Sequence, residues 1–470
     1  MKKYIISSFR GGISKYKDRG LAGAFQYGRN LNFRTDDNTL TCNQDLTQEG
    51  SRVIADLINF FVPSITGKLY AFGDSGKIYE RDSAGTWTLK YTDPDGEIKG
   101  AAEWYQENGN TYLFWATDTK LHSKELPGAS DWSDVDANIV VGSTTYTYPK
   151  TNLLSAAWHT MKQALGDLYI ANDNKLAMVG YDGSFTTEAL SIFFDESLKS
   201  LLERDTYILF GTARQDGREI SHLYQWDTIS SSWNGKKVVF KGDVNAIIDT
   251  DIGLAQVGTD GGIFYADMVT PLLIRTIDGG GQSNPGGVDV DEGLALFGIY
   301  GNSNDDNGIY SYGRTNKDEN HVFNLEHYLG SVDKVGAIVN FDNKIFVSYK
   351  SGSSYYVKRT DDNNKATGVY RSLQLIPDKQ FINQYLWRVV KVYMKPLPAG
   401  CEVGLTYKTN RSGSFKSANL EGGLTSFSTI DGTEAVFLVG DKANIFEFEL
   451  TLTPNGNYAP EIERIEVYFD

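Results

Sequence analysis

Leu69-Tyr-Ala-Phe-Gly-Asp-Ser-Gly-Lys-Ile-Tyr79 writes a short apolar strand, a tight Asp-Ser-Gly turn and a returning strand. The phrase recurs, with variation, at Thr111–His122, Leu168–Met178, Thr206–Thr212 with a return at Ser221–Trp226, and Gly253–Tyr265. Two further copies are Gly293–Gly298 returning at Gly308–Tyr312, and Lys344–Tyr349 returning at Tyr355–Lys358. Their starts lie roughly 40 to 57 residues apart, near the ~40–50 residues of a propeller blade. Such a unit has two apolar faces and cannot bury both alone; stacking units in a ring covers the faces and leaves few open edges. Seven repeats predict an all-β, seven-bladed β-propeller, with six blades as the alternative if the first or last pair belongs elsewhere.

Working outward, small residues dominate the segments that precede the repeats: Gly100–Trp104, Ser155–Trp158, Asp243–Ile247 and Val332–Ile338. Innermost strands crowded around an axis require this. Trp87–Tyr91 and Gln225–Trp233 read as outer hairpins. One stretch, Ser197–Arg204, spaces its leucines at 198, 201 and 202 and predicts a short helix between blades. After about residue 370 the pattern changes to period two, in Trp387–Tyr393, Glu402–Tyr407, Thr433–Val439, Ile445–Leu452 and Ile462–Phe469. Alternation means one buried and one wet face, so a C-terminal antiparallel β-sandwich or jelly roll follows, which ends on a strand. The expected division is 1–60 as a basic N-terminal arm with a ring-closing strand, 61–370 as the propeller and 371–470 as the sandwich. Thr39–Cys42 or Val53–Ile58 is expected to close the ring.

Composition agrees. Aromatic residues make up 13% of the 470, led by 28 Tyr and 24 Phe, which favour pleated half-buried surfaces. The 48 Gly against 11 Pro suit many tight hairpins, and 40% hydrophobic residues with abundant aromatics make disorder a poor reading. Cys42 and Cys401 stand in no metal or redox spacing and imply no disulfide framework. The start, with only Tyr4-Ile5-Ile6 as an apolar run, predicts no signal peptide, and no stretch approaches the ~20 residues of a membrane span. Synthesis and folding in a cytoplasm are expected.

The net charge of −15 is unevenly placed. Residues 1–34 carry eight cations against Asp18, so the remainder carries about −22. A basic arm on an acidic body predicts docking to an acidic neighbour, including another copy of the chain. Arg10, Lys15, Lys17, Arg19, Arg29 and Arg34 are the expected partner-binding residues. Nucleic acid is the weaker candidate, because the acidic body repels a phosphate backbone. A merely solvated arm is the plain alternative.

No catalytic constellation emerges, and neither a catalytic residue, a metal ligand nor a cofactor is predicted. Asp82-Ser-Ala-Gly-Thr-Trp87 resembles a sialidase box, but its Gly falls one place late and no second copy exists. His122, His159, His222, His321 and His327 stand in no metal-ligand spacing. Asp278–Gly287 is Gly-rich without a following helix, so a loop is favoured over a phosphate cradle. Asn302–Gly308 carries oxygen donors but lacks the late Glu of a Ca²⁺ loop and reads as a hairpin turn. Trp132 and Trp233 could stack on sugar rings, though packing is the commoner use of such residues. An enzyme is therefore not expected.

The opening is more specific. Ser8-Phe-Arg-Gly-Gly-Ile-Ser14, Gly20–Arg34 and Asp37–Leu46 lead into Lys68–Tyr79, and Lys391-Val-Tyr-Met-Lys-Pro-Leu-Pro-Ala-Gly400 lies in the closing sheet. These segments resemble propeller proteins in the virions of tailed bacteriophages, at both ends and in the repeat between. The resemblance implies a structural subunit of the tail, nozzle or neck, present in several copies, with other virion proteins as partners and the virion as its location. A glycan- or receptor-binding module on the same particle is the alternative, and a glycan hydrolase or lyase stands third. Membrane insertion is not expected.

Overall fold

The computed structural model describes residues 1–49, 54–106, 109–141, 144–146, 153–214, 219–233, 237–267, 270–378, 380, 383–410 and 414–470. Every regular element among them is a β-strand. The chain divides into two compact units, Gln48–Asn307 with Leu329–Arg359, and Met1–Thr47 with Gly308–Tyr328 and Thr360–Asp470.

The first unit is a series of small antiparallel sheets, all but the last formed by consecutive strands alone. Ile58–Pro63, Leu69–Gly73, Lys77–Arg81 and Trp87–Thr92 make one sheet, and Gly100–Tyr105, Thr111–Ala116 and Leu121–Leu126 the next. Sheets over Met161–Ser191, Glu196–Lys241 and Val244–Thr276 follow the same order. Val288–Asp291 then pairs with Leu294–Ile299, and Lys334–Phe341 pairs with Lys344–Ser351 and through it with Ser354–Lys365. The second strands are buried on both faces, as in Leu69–Gly73, Thr111–Ala116 and Leu294–Ile299. Their side chains therefore belong alternately to the cores on either side: Phe114 packs with Ile170, whereas Trp115 packs with Phe72.

Hydrogen bonds link each sheet to the next. Asn59 Nδ2 donates to Ile98 O (3.0 Å), His159 N to Lys99 O (2.8 Å), Thr160 Oγ1 to Lys199 O (2.6 Å) and Ser200 Oγ to Val244 O (3.1 Å). Ser283 N donates to Gln256 Oε1 (3.0 Å) and Ile338 N to Gly286 O (2.9 Å). The last sheet is also bonded to the first, where Ile58 N donates to Ser348 Oγ (2.9 Å).

The crowding expected of the first strands is observed. A Cβ on Gly100 would lie 1.7 Å from His159 O, and one on Gly336 would lie 2.1 Å from Ile58 O. Backbone cannot yield as a flexible side chain does. Gly336→Ala is expected to cost about 2–3 kcal/mol in urea unfolding, through overpacking. Gly404→Ala, whose nearest neighbour would be 3.9 Å away, is the control and should stay within about 1 kcal/mol.

Three expectations need correction. Ser197–Arg204 is not a helix but most of the strand Glu196–Arg204. Its helix-like spacing has two causes: a bulge between Leu198 and Ser200, and burial on both faces. Leu198 and Leu201 enter one core while Leu202 enters the next. The strand beside Ser354–Lys365 is Gln44–Gln48, whereas Thr41–Cys42 pairs with Leu31–Asn32. Of the other stretch, Val53 lies outside the described residues and only Ile58 is in a strand. Residues 1–34, finally, do not form a free arm. Lys2–Ile6 pairs with Ile462–Phe469, Tyr27–Arg29 pairs with Gly368–Arg371, and Phe9, Phe25, Leu31 and Phe33 are buried. Burying these apolar side chains favours packing of the segment, and Lys15, Lys17 and Arg19 stay in solvent while it packs.

The second unit holds two larger antiparallel sheets. One runs Lys2–Ile6, Ile462–Phe469, Tyr385–Met394, Glu434–Ala443, Asn419–Leu420. The other runs Tyr27–Arg29, Gly368–Arg371, Phe446–Thr453, Glu402–Thr409, Lys416–Ser417, with Ser426–Phe427 also on Glu402–Thr409. The two sheets touch where Trp387 of one stacks on Phe446 of the other, ring centroids 4.8 Å apart. Cys42 and Cys401 are buried free thiols, and burial pushes the Cys42 thiol up to about 12.

Candidate functional site

The six cations expected to bind a partner meet different fates. Arg10 Nη1 pairs with Glu319 Oε1 (2.7 Å), and its Nη2 donates to Thr35 O (2.6 Å). Arg34 pairs with buried Glu326, which also accepts from Ser311 Oγ (2.5 Å) and Asn43 Nδ2 (3.0 Å). Burial alone would raise the Glu326 carboxyl, but the Arg34 guanidinium and Ser311 outweigh it and hold it below its usual value. Arg29 lies half-buried over the Tyr328 ring at 4.4 Å. Lys15, Lys17 and Arg19 project to solvent.

These last three sit in a loop whose backbone is fixed. Ser14 Oγ accepts from Tyr16 N (3.1 Å) and donates to Arg19 O (2.6 Å), and Gln374 N donates to Lys17 O (2.7 Å). Tyr16 and Leu21 are each 48% exposed there. The Arg19 guanidinium lies 4.3 Å over the Tyr16 ring, so the loop offers held charge together with apolar surface.

A second group lies between the first two sheets and was not singled out by the sequence. Asp93 and Asp95 occupy the Asp-Pro-Asp-Gly turn after Trp87–Thr92, and His122 lies on Leu121–Leu126. The His122 ring stacks on Trp115 and is 5% exposed. Its Nδ1 is 3.0 Å from Asp136 Oδ2, while Nε2 makes no hydrogen bond. Nε2 faces Asp93 Oδ2 at 3.4 Å and Asp95 Oδ2 at 3.7 Å. Trp115 Nε1 donates to Asp93 Oδ2 (2.7 Å), and Lys120 Nζ to Asp95 Oδ1 (2.5 Å).

The other features weighed in the sequence are tied into the fold. His159 lies between Ala171 O and Asp118 O, and burial lowers its pKa. Asp82 Oδ1 accepts from Ala84 N and Thr86 N, so the sialidase-like phrase is a self-bonded turn. Asn302 Nδ2 donates to Asp278 O and Gly280 O, which binds its loop to the Gly-rich one. Trp132 is buried against Tyr70, Tyr91 and Trp115.

Among the described residues, four carboxyls are raised above their usual range by burial: Asp56, Glu103, Asp249 and Asp289. Each has its own partners. Glu103 accepts from Ser64 Oγ (2.7 Å), Asp289 from Asn340 N (2.5 Å), and Asp249 faces Arg204 at 3.5 Å. Asp56 is pushed to about 7 by burial and by neighbouring Asp74, against hydrogen bonds from Ser75. The folded chain therefore holds this proton more tightly than the unfolded chain, whose Asp titrates near 3.8. This contribution to stability is complete below about pH 4 and is lost as pH rises through about 7. Asp74→Asn, which keeps an acceptor for Leu57 N, should flatten that slope by about 2 kcal/mol between pH 4.5 and 8 in paired urea titrations.

No protein family matches this chain, and no curated protein matches its sequence. Among solved structures it is similar to the extracellular domain of BT4673 from B. thetaiotaomicron, at 14% identity and a TM-score of 0.46 over 80% of this chain. The chain spans only 45% of the length of that protein. It is also similar to the WD40 beta propeller domain of Doa1 (15% identity, TM-score 0.44, 68% of this chain and 97% of that one). Streptogramin B lyase is a third, at 13% identity and a TM-score of 0.43, covering 67% of this chain and 97% of the other. The described residues form β-strands alone, and no helix among them is long and apolar enough to cross a membrane.

Proposed function

We propose that this chain is a structural subunit of a tailed-phage virion, a rigid assembly and docking module of the tail, nozzle or neck. In this reading the first unit is a seven-bladed propeller, supported by the hydrogen bonds that pass from sheet to sheet and return to Ile58. The second unit is the β-sandwich, supported by the Trp387–Phe446 stack between its sheets. The observation that carries the docking role is the loop at 15–22, where Lys15, Lys17 and Arg19 project from a pinned backbone beside exposed Tyr16 and Leu21. A preordered loop loses little entropy on binding, and cations with an aromatic suit an acidic protein surface. Another copy of this acidic chain, or a neighbouring virion protein, supplies one.

The test is cryo-electron microscopy of the particle, paired with sedimentation of the purified chain and of a Lys15→Glu/Lys17→Glu/Arg19→Glu variant. The expected result is a ring or layer with residues 15–22 against a neighbour, and at least tenfold weaker association of the variant. A chain that stays monomeric, with this loop in solvent on the particle, would overturn the reading. Glycan arrays would then test the receptor-binding alternative.

A further inference from the structure

We propose that Asp93, Asp95 and His122 form a binding site for one first-row divalent cation, Zn²⁺ or Mn²⁺, that staples the first two sheets together. The ligand atoms are His122 Nε2, Asp93 Oδ2 and Asp95 Oδ2, which all lie within 4.8 Å of one another. Two ligands about 2.1 Å from a tetrahedral ion stand about 3.4 Å apart. The observed separations of 3.4 and 3.7 Å from Nε2 match that spacing, and Nε2 makes no hydrogen bond to either carboxylate.

The buried nitrogen is the second, independent observation. His122 is 95% buried by its 5% exposure, yet Nε2 has no hydrogen-bond partner. A buried polar atom left so costs free energy unless something binds it. Asp136 Oδ2 can accept only from Nδ1–H, and in the neutral ring that leaves the Nε2 lone pair facing the two carboxylates. Trp115 in turn orients Asp93 by donating to the same oxygen that would take the metal, and a carboxylate oxygen has lone pairs for both. An imidazole with two carboxylates suits a first-row cation better than Ca²⁺, which prefers oxygen alone.

Lys120 gives the site its counter-test. Its ammonium sits on Asp95 Oδ1 and competes with any cation for that carboxylate. Calorimetric titration of the purified full chain with Zn²⁺ alone, and separately with Mn²⁺, should show one saturable site and a rise in thermal midpoint. Asp95 is partly exposed, so Asp95→Asn should fold and should bind at least tenfold more weakly. Lys120→Met should bind more tightly than wild type by a severalfold factor. Should His122→Gln fail to fold, these two surface variants still decide the matter. Absence of saturable binding, or binding that neither variant changes, would overturn the proposal.

Discussion

Glu49→Ala is expected to destabilise the protein by about 3–5 kcal/mol, because it leaves two guanidinium groups facing a site with no anion. The Glu49 side chain is 4% exposed. It accepts from Arg81 Nε at 2.8 Å and pairs with Arg359, while its own N–H donates to Val357 O at 2.9 Å. Arg81 ends the third strand of the first sheet, and Arg359 lies on the strand Ser354–Lys365 of the last. One carboxylate therefore joins the two ends of the sheet series. Arg81 is also held over the Phe346 ring at 5.1 Å, so it cannot swing out to water without giving up that contact. Hydrogen exchange should quicken first in Leu69–Arg81 and Lys344–Arg359, ahead of the middle sheets. Glu49→Gln keeps the shape and one acceptor and should recover part of the loss. Replacing Glu49, Arg81 and Arg359 together by Met should cost less than Glu49→Ala alone, since no charge is left buried. If Glu49→Ala costs under about 1 kcal/mol, the group behaves as a solvated surface pair and the latch does not exist.

That latch also marks the limit of what the sequence discloses. The strand pairs repeat at short range, and their apolar phrases are legible because second strands are buried on both faces: Leu69–Gly73 is buried at every position, with the Tyr70 hydroxyl bonded to Glu80. The period-two strands after residue 370 are legible for the opposite reason, as Glu402–Tyr407 alternates buried positions with exposed or half-buried ones. Glu49–Arg359 joins residues over 300 apart, and Arg34–Glu326 spans 292 positions. No local pattern encodes either. Reading Arg34 and Arg10 as docking cations follows from composition, and composition does not reveal that Glu326 and Glu319 meet them. Asp93-Pro-Asp-Gly96 carries the chemistry of a turn, and the imidazole that faces it arrives on another sheet. The helix expected at Ser197–Arg204 fails because a single bulge shifts period two into a spacing that imitates 3.6.

Trp387→Ala should remove about 3–5 kcal/mol from the second unit, the range for deleting a large buried aromatic. Trp387 is fully buried. Its ring stacks on Phe446 of the facing sheet at 4.8 Å and lies 5.0 Å from Phe469 on the adjacent strand. Its Nε1–H donates to Ala443 O at 3.1 Å, so truncation orphans a carbonyl as well as opening a cavity. Trp387→Phe separates the two effects. A smaller stacked ring stays while the donor goes, and the expected cost falls to about 1–2 kcal/mol. Tyr4, on the N-terminal strand, stacks over the same cluster, 5.3 Å from Phe469 and 6.3 Å from Trp387. The N-terminal strand thus rests on the core that Trp387 organises. Trp387→Ala should loosen it ahead of global unfolding, seen as faster amide exchange at Lys2–Ile6. Equal protection of that strand in wild type and variant would show instead that its ladder with Ile462–Phe469 holds it without the aromatic cluster.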